Sequence, residues 1–250
     1  MDGSLSPMIA TANRPVAAID SVDGYDLWSP VSDPIREEMY RSFARFGALP
    51  ADSPGLSQVR RAVSQTDKLR QDLNGIGDFT SPVAYPNTRF AHKLAGLAEF
   101  IEAGLPMRVV TIRAPGGYDT HANQAEDLER NLRQTCEGLL AFQRDLEARG
   151  LQNRVMVEMW SEFGRRPEEN GSAGTDHGAA GCAFVIGSKA QGQMVGEFPG
   201  LAKLDANDNL RATSDFRAMY CSLLEQWLGH DAGPIIPGAS GFARPQLVKA

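Results

Sequence analysis

The chain has 250 residues, 42% of them apolar and 22% charged, and 31 acidic side chains against 25 Lys and Arg give a formal net charge of −6. That balance fits a packed globular protein and argues against disorder, collagen or a coiled-coil rod. It leaves no general positive excess to neutralise a phosphodiester backbone, so nucleic acid is not an expected partner. No apolar run approaches the ~20 residues that cross a bilayer, so no membrane association is expected either. The first twenty residues lack the basic start and apolar stretch of a secretory signal. Cys136, Cys182 and Cys221 are widely spaced, form no Cys-x-x-Cys pair, and are read as buried thiols.

A single α/β domain over residues 1–250 is expected, with an irregular and helical portion at 1–84 ahead of a core at 85–240. The opening segment, to about Pro34, sets Val16–Ile19 and Tyr25–Trp28 between turn residues and suggests short strands. Apolar residues then recur every three or four positions from Ile35 to Phe46 and from Leu56 to Leu73, as amphipathic helices require. Gly75 to Pro86 reads as a loop and a candidate hinge. A third helix is predicted from about Thr88 to Ala103, with Phe90, Leu94, Leu97 and Ile101 on one face and Gly104 ending it. Met107–Ile112 reads as a strand buried on both faces. A long helix from about Ala122 to Ala148 carries Leu128, Leu132, Cys136, Leu139 and Leu146 at helical spacing, with Gly150 as its stop. Val155–Trp160 and Ala183–Ile186 are the next strands. The last helix runs from about Asp215 to Leu228, burying Phe216, Met219, Leu223, Leu224 and Trp227, with Ser214 as N-cap and Gly229 beyond its end.

This alternation is the pattern of a mainly parallel sheet with helices on both faces. Ligands of such sheets gather beyond the carboxyl ends of the strands, which directs attention to three segments. After Met107–Ile112, Gly116-Gly117-Tyr118-Asp119-Thr120-His121 sets a carboxylate and an imidazole two positions apart, a donor pair suited to Zn²⁺ or Mn²⁺. The alternative is that Asp119 and Thr120 cap the long helix. After Val155–Trp160, Ser161-Glu162-Phe163-Gly164-Arg165-Arg166 offers Glu162 as ligand or base, or as the partner of Arg165 in an ordinary salt bridge. Before Ala183–Ile186, a Gly-rich turn presents Asp176 and His177, and ordering that pair in a turn requires something for both to bind. His92 and His230, the other two His residues, are read as structural. Ser161 and Thr120 have no His partner at a nucleophile-elbow spacing, and no phosphate-cradling Gly-rich motif opens a helix, which argues against a serine hydrolase and a nucleotide-binding loop.

Gly-Gly-Tyr-Asp-Thr-His-Ala-Asn-Gln, Ser-Glu-Phe-Gly-Arg-Arg, Gly-Thr-Asp-His-Gly and Thr213-Ser214-Asp215-Phe216-Arg217 with Trp227-Leu228-Gly229, in that order, resemble domain-of-unknown-function family 1501 from about Tyr85 to Pro237. Its members look like relatives of the alkaline phosphatase and sulfatase superfamily. The resemblance implies an alkaline-phosphatase-like α/β fold, and two metal ions held by Asp and His after successive strands. Asp119 and His121 would form one ligand pair, Glu162 would stand where Asp-His is usual, and His177 would be the last His. Asp176 would either ligate the metal or orient His177. Phe163 replaces the His that usually follows the carboxylate. The amino-terminal part of longer members, with the first metal segment, the nucleophile region and often a twin-arginine export signal, has no counterpart here. The chain therefore looks truncated on that side, and the resemblance suggests an exported or periplasmic setting.

The resulting expectation is a hydrolase of small anionic phosphate or sulfate esters, using Zn²⁺ or Mn²⁺, or alternatively Ca²⁺ or Mg²⁺. Asp119, His121, Glu162, Asp176 and His177 supply ligands, Glu162 a catalytic carboxylate, and Arg165 or Arg166 a charge against the substrate. The rival expectation is a non-catalytic metal-binding or protein-interaction module whose turns hold a structural ion or only hydrogen bonds.

Overall fold

The computed structural model describes residues 16–19, 31–74, 76 and 80–249. Tyr25–Trp28 lies outside them, and Val16–Ile19 forms no strand. The chain divides into two compact units, Met1–Pro115 with Thr135–Asp145, and Gly116–Gln134 with Leu146–Ala250.

The first unit is helical. α1 (Asp33–Ala48) packs on α2 (Pro54–Asn74), and Arg70 of α2 lies over the Tyr40 ring of α1 at 3.9 Å. Such a guanidinium contributes about 0.5–2 kcal/mol through the ring quadrupole and covers the ring as well. α3 (Arg89–Glu102) opens on Thr88, whose side chain accepts from Ala91 N at 3.1 Å. Phe90, Leu94 and Leu97 are buried as the spacing predicts, and so are Ala91, Ala95, Ala98 and Phe100, so α3 is enclosed over most of its circumference.

α4 (Gln124–Ala148) departs from its predicted face. Its buried positions are Asn131, Thr135, Gly138, Ala141, Phe142, Asp145 and, as predicted, Leu146, while Leu132 and Cys136 are exposed. The chain accepts polar groups in this stripe because they have partners. Asp145 accepts from Ser81 Oγ and Tyr85 OH, both at 3.0 Å. Gly138 is small because the Phe90 ring lies where a Cβ would go. Met107–Ile112 forms no strand, and Val109 is 62% exposed; a strand there would need ladder partners, and no described residue pairs with it.

The second unit contains all the described strands, in two antiparallel pairs. β1 (Val157–Met159) pairs with β4 (Phe184–Ile186) in the register Glu158 to Val185. β2 (Gly164–Glu169) and β3 (Thr175–Gly178) form a hairpin that sets Arg165 opposite His177. α5 (Phe216–Gln226) is capped by Asp215, whose side chain accepts from Arg217 N, and not by Ser214. It buries Cys221 against Ala232, Ile236 and Ala239, whereas Phe216 is exposed. Of the three thiols, only Cys221 is buried; Cys136 and Cys182 face solvent. No helix among the described residues is long and apolar enough to cross a membrane.

Candidate metal centre

The loop before α4 and the β2–β3 hairpin are built to meet. Gly116 holds φ +75, and a Cβ there would fall 2.1 Å from Asn131 Oδ1. Only glycine lets the backbone approach the buried Asn131 so closely, and Asn131 Nδ2 then donates to Gly117 O at 2.7 Å. Three backbone bonds join the loop and the start of α4 to the hairpin: Asn123 N to Ser172 O at 3.2 Å, Gln124 N to Ala173 O at 2.9 Å, and Thr175 N to Thr120 O at 3.3 Å. At Gly174 the two backbones touch, since a Cβ would lie 2.2 Å from His121 C.

This joint brings together side chains up to 58 positions apart in sequence. Asp119 Oδ1 lies 2.8 Å from His177 Nε2, 3.1 Å from His121 Nε2 and 3.1 Å from Arg165 Nη2. One ligand atom from each of Asp119, His121 and His177 falls within 4.8 Å of the others, and this is the one such group among the described residues. A tetrahedral ion bound at about 2.0–2.1 Å separates its ligand atoms by roughly 3.3 Å, so the donor set and spacing fit a cation. All three side chains are about half exposed and can be reached from solvent.

The other predicted residues divide. Asp176 faces His121, not His177: its Oδ1 lies 3.0 Å from His121 Nδ1. Glu162 is exposed and stands outside the three-residue group, and the ion pair of Arg165 is with Asp119 rather than with Glu162. Arg165 also donates to Tyr118 O at 2.7 Å and Thr175 O at 2.5 Å, and lies over the Phe163 ring at 5.0 Å. With its side chain only 19% exposed, it clamps the loop to the hairpin. Arg166 is exposed. Phe163 stacks on His177 with centroids 3.8 Å apart and so fixes the ring plane. Asp119 and Thr120 do not cap α4, which begins at Gln124: the Asp119 carboxylate turns to the imidazoles and Arg165, and Thr120 Oγ1 is buried with no partner. Ser161 Oγ donates to Phe163 O at 2.9 Å. His92 and His230 are exposed and belong to no such group.

The hydrogen bond from His177 is the main reason the Asp119 carboxyl sits below the usual carboxylate range, with Arg165 and the His121 charge adding to it and desolvation opposing. Asp176 is lowered first by Asn170, then by His121. Asn170 is the residue that sequence reasoning missed. It bonds the Asp176 carboxylate at 3.2 Å and His121 O at 3.0 Å, and accepts from Ser172 N and Gly174 N at 2.9 and 3.1 Å. The Asn170-Gly171 dipeptide, a turn signal, is what could have disclosed it.

A family model described as "Protein of unknown function (DUF1501)" matches residues 53–226, an interval that contains every residue of this cluster. No curated protein and no solved structure matches the chain.

Proposed function

Because the chain belongs to the DUF1501 family of proteins of unknown function, whose members carry no assigned chemistry to inherit, we propose a function from the cluster itself: a divalent-cation centre in a hydrolase of phosphate or sulfate esters. One observation carries the reading. Both ring nitrogens of His121 face carboxylate oxygens, Asp176 at Nδ1 and Asp119 at Nε2. In its neutral form the ring donates from only one of them, so its other lone pair meets a carboxylate at 3.1 Å, and either a second proton on the ring or a metal cation relieves that opposition. Zn²⁺ or Mn²⁺ suits two imidazoles and a carboxylate better than Ca²⁺ or Mg²⁺ does.

When bound, such an ion polarises an ester oxygen and lowers the pKa of bound water. The chain's own residues supply the rest of the proposal. Arg165 holds Asp119 and the carbonyls of Tyr118 and Thr175, which leaves exposed Arg166 to meet the substrate anion. Glu162, exposed next to Phe163, is the proposed base or additional ligand. The alkaline-phosphatase-like parallel α/β core belongs to the same proposal.

Elemental analysis after zinc or manganese loading tests the centre. One ion per chain is expected for the wild type and none for Asp119→Ala or His177→Ala, with melting temperatures near that of the wild type because these side chains are exposed. Unchanged stoichiometry in both variants removes the ligand assignment. Metal-dependent hydrolysis of aryl phosphate or aryl sulfate then tests the reaction. A second reading, an ion-binding interaction module, draws on the exposed run Met194, Val195, Phe198 and Leu201. It expects ion binding and self-association without turnover.

A further inference from the structure

We infer that Asn170 and Asp176 are positioning residues that hold His121 in its Nδ1–H tautomer and thereby make Nε2 its inward-facing acceptor; the consequence for ion binding rests on the cation centre proposed above. A neutral imidazole in water favours the other tautomer, with hydrogen on Nε2. Left alone, His121 would therefore present a donor where a cation needs a lone pair. Asp176 reverses the preference. Its carboxylate is acceptor-only and takes the ring's hydrogen bond, Oδ1 lying 3.0 Å from Nδ1, whereas Asp119 Oδ1 at 3.1 Å from Nε2 is an ion-pair contact without that bond, so the hydrogen is placed on Nδ1.

An exposed carboxylate has several rotamers to choose from, so Asp176 must itself be held. Asn170 does this from the hairpin turn. Its oxygen accepts from two backbone amides, Ser172 N and Gly174 N, which leaves no freedom in how the amide group is oriented. The NH₂ group must then face the other way, where it donates to Asp176 Oδ1 at 3.2 Å and to His121 O at 3.0 Å. The order of command runs from backbone turn to amide, from amide to carboxylate, and from carboxylate to ring. Partners of this kind orient a ligating imidazole and raise its basicity, and losing them typically costs 10–100-fold in metal affinity.

Long-range proton–nitrogen spectra of the metal-free full chain, taken at alkaline pH where imidazoles are neutral, read the tautomer directly. Zinc titration against a competing chelator reads the affinity. The wild type is expected to show His121 as Nδ1–H. In Asp176→Ala the ring should revert to Nε2–H and zinc affinity should fall about 10–100-fold. Asp176→Asn keeps an oxygen within reach of the Asn170 amide, so it should keep the tautomer and recover most of the affinity. Asn170→Ala should resemble Asp176→Ala; if the turn fails without its two caps, the Asp176 pair alone decides. An Nε2–H ring in the wild type overturns the inference, and so does an Asp176→Ala protein in which either the tautomer or the zinc affinity is unchanged. A wild type that shows Nδ1–H but takes up no zinc confirms the tautomer device and sinks the cation reading instead.

Discussion

Asp145 in the first unit and Asp119 in the second are both carboxylates that serve several donors, yet they serve opposite ends. Asp145 is 0% exposed and binds two hydroxyls, Ser81 Oγ and Tyr85 OH. Asp119 lies open to solvent, and two imidazoles and a guanidinium converge on one of its oxygens. Burial makes the difference. An unmade bond in the core costs the desolvation of every group left behind, whereas charges in water exchange partners at little cost. Convergence of three nitrogens on an exposed oxygen therefore gains little for folding, and the proposed cation centre gives it a role.

The sharpest way to break this contrast is to remove each carboxylate and compare stability. Asp145→Ala removes the acceptor of two hydroxyls and opens a cavity, so roughly 2–5 kcal/mol of unfolding free energy should be lost, read from denaturant midpoints. Asp145→Asn should lose less, because an acceptor oxygen remains. A wild-type midpoint for Asp145→Ala would erase the distinction between the two units. Gly174→Ala tests the joint rather than either carboxylate. Its new Cβ meets His121 backbone, which cannot rotate aside, so the loop and hairpin must separate at a cost of about 1–3 kcal/mol. Zinc uptake should weaken in step. Retained zinc affinity in a destabilised Gly174→Ala protein would show that the cluster does not depend on this contact.

Legibility in the sequence followed burial chemistry. α3 shows its periodicity because its inner face carries the apolar and aromatic side chains that helical spacing exposes to a reader, and α1, α2 and α5 repeat the pattern although Ile35, Met39, Val59 and Phe216 stay exposed and Asp67 and Ser222 are buried. α4 has the right length, but its buried stripe lies beside the leucines, on Asn131, Thr135, Gly138 and Asp145. Polar groups enter a core only where partners await them, and those partners come from residues such as Gly117, Ser81 and Tyr85 that no local pattern links to the helix. The candidate site was legible in its residue types: Asp119, His121 and His177 stand out near glycines. Their scaffolding was not. The β2 sequence Gly-Arg-Arg-Pro-Glu-Glu has no apolar alternation, so the hairpin that sets Arg165 opposite His177 leaves no strand signal. The switch of Asp176 from His177 to His121 likewise depends on a loop that meets the hairpin only after folding.

The smallest expected effect concerns a third carboxylate, which stands between the other two in character. Glu158, in the middle of β1, is partly buried, and its Oε1 is buried with no hydrogen-bond partner. Burial pushes its carboxyl above the usual range. The sign follows from proton counting. Between the ordinary carboxyl pKa and the raised one, the folded chain holds a proton that the unfolded chain has released, so this group's contribution to stability falls as pH rises through that window and is flat above it. Glu158→Gln should remove that decline, so the denaturant midpoint at about pH 8 should rise relative to that at about pH 4 when compared with the wild type. Tyr220 supplies an independent reading. Its phenol is pushed up first by burial and then by the negative charge of Glu158, so Glu158→Gln should lower the Tyr220 pKa in a spectrophotometric titration. If the midpoints keep their wild-type pH dependence while the phenol shifts, Glu158 is charged but not desolvated. It would then group with exposed Asp119 rather than with Asp145.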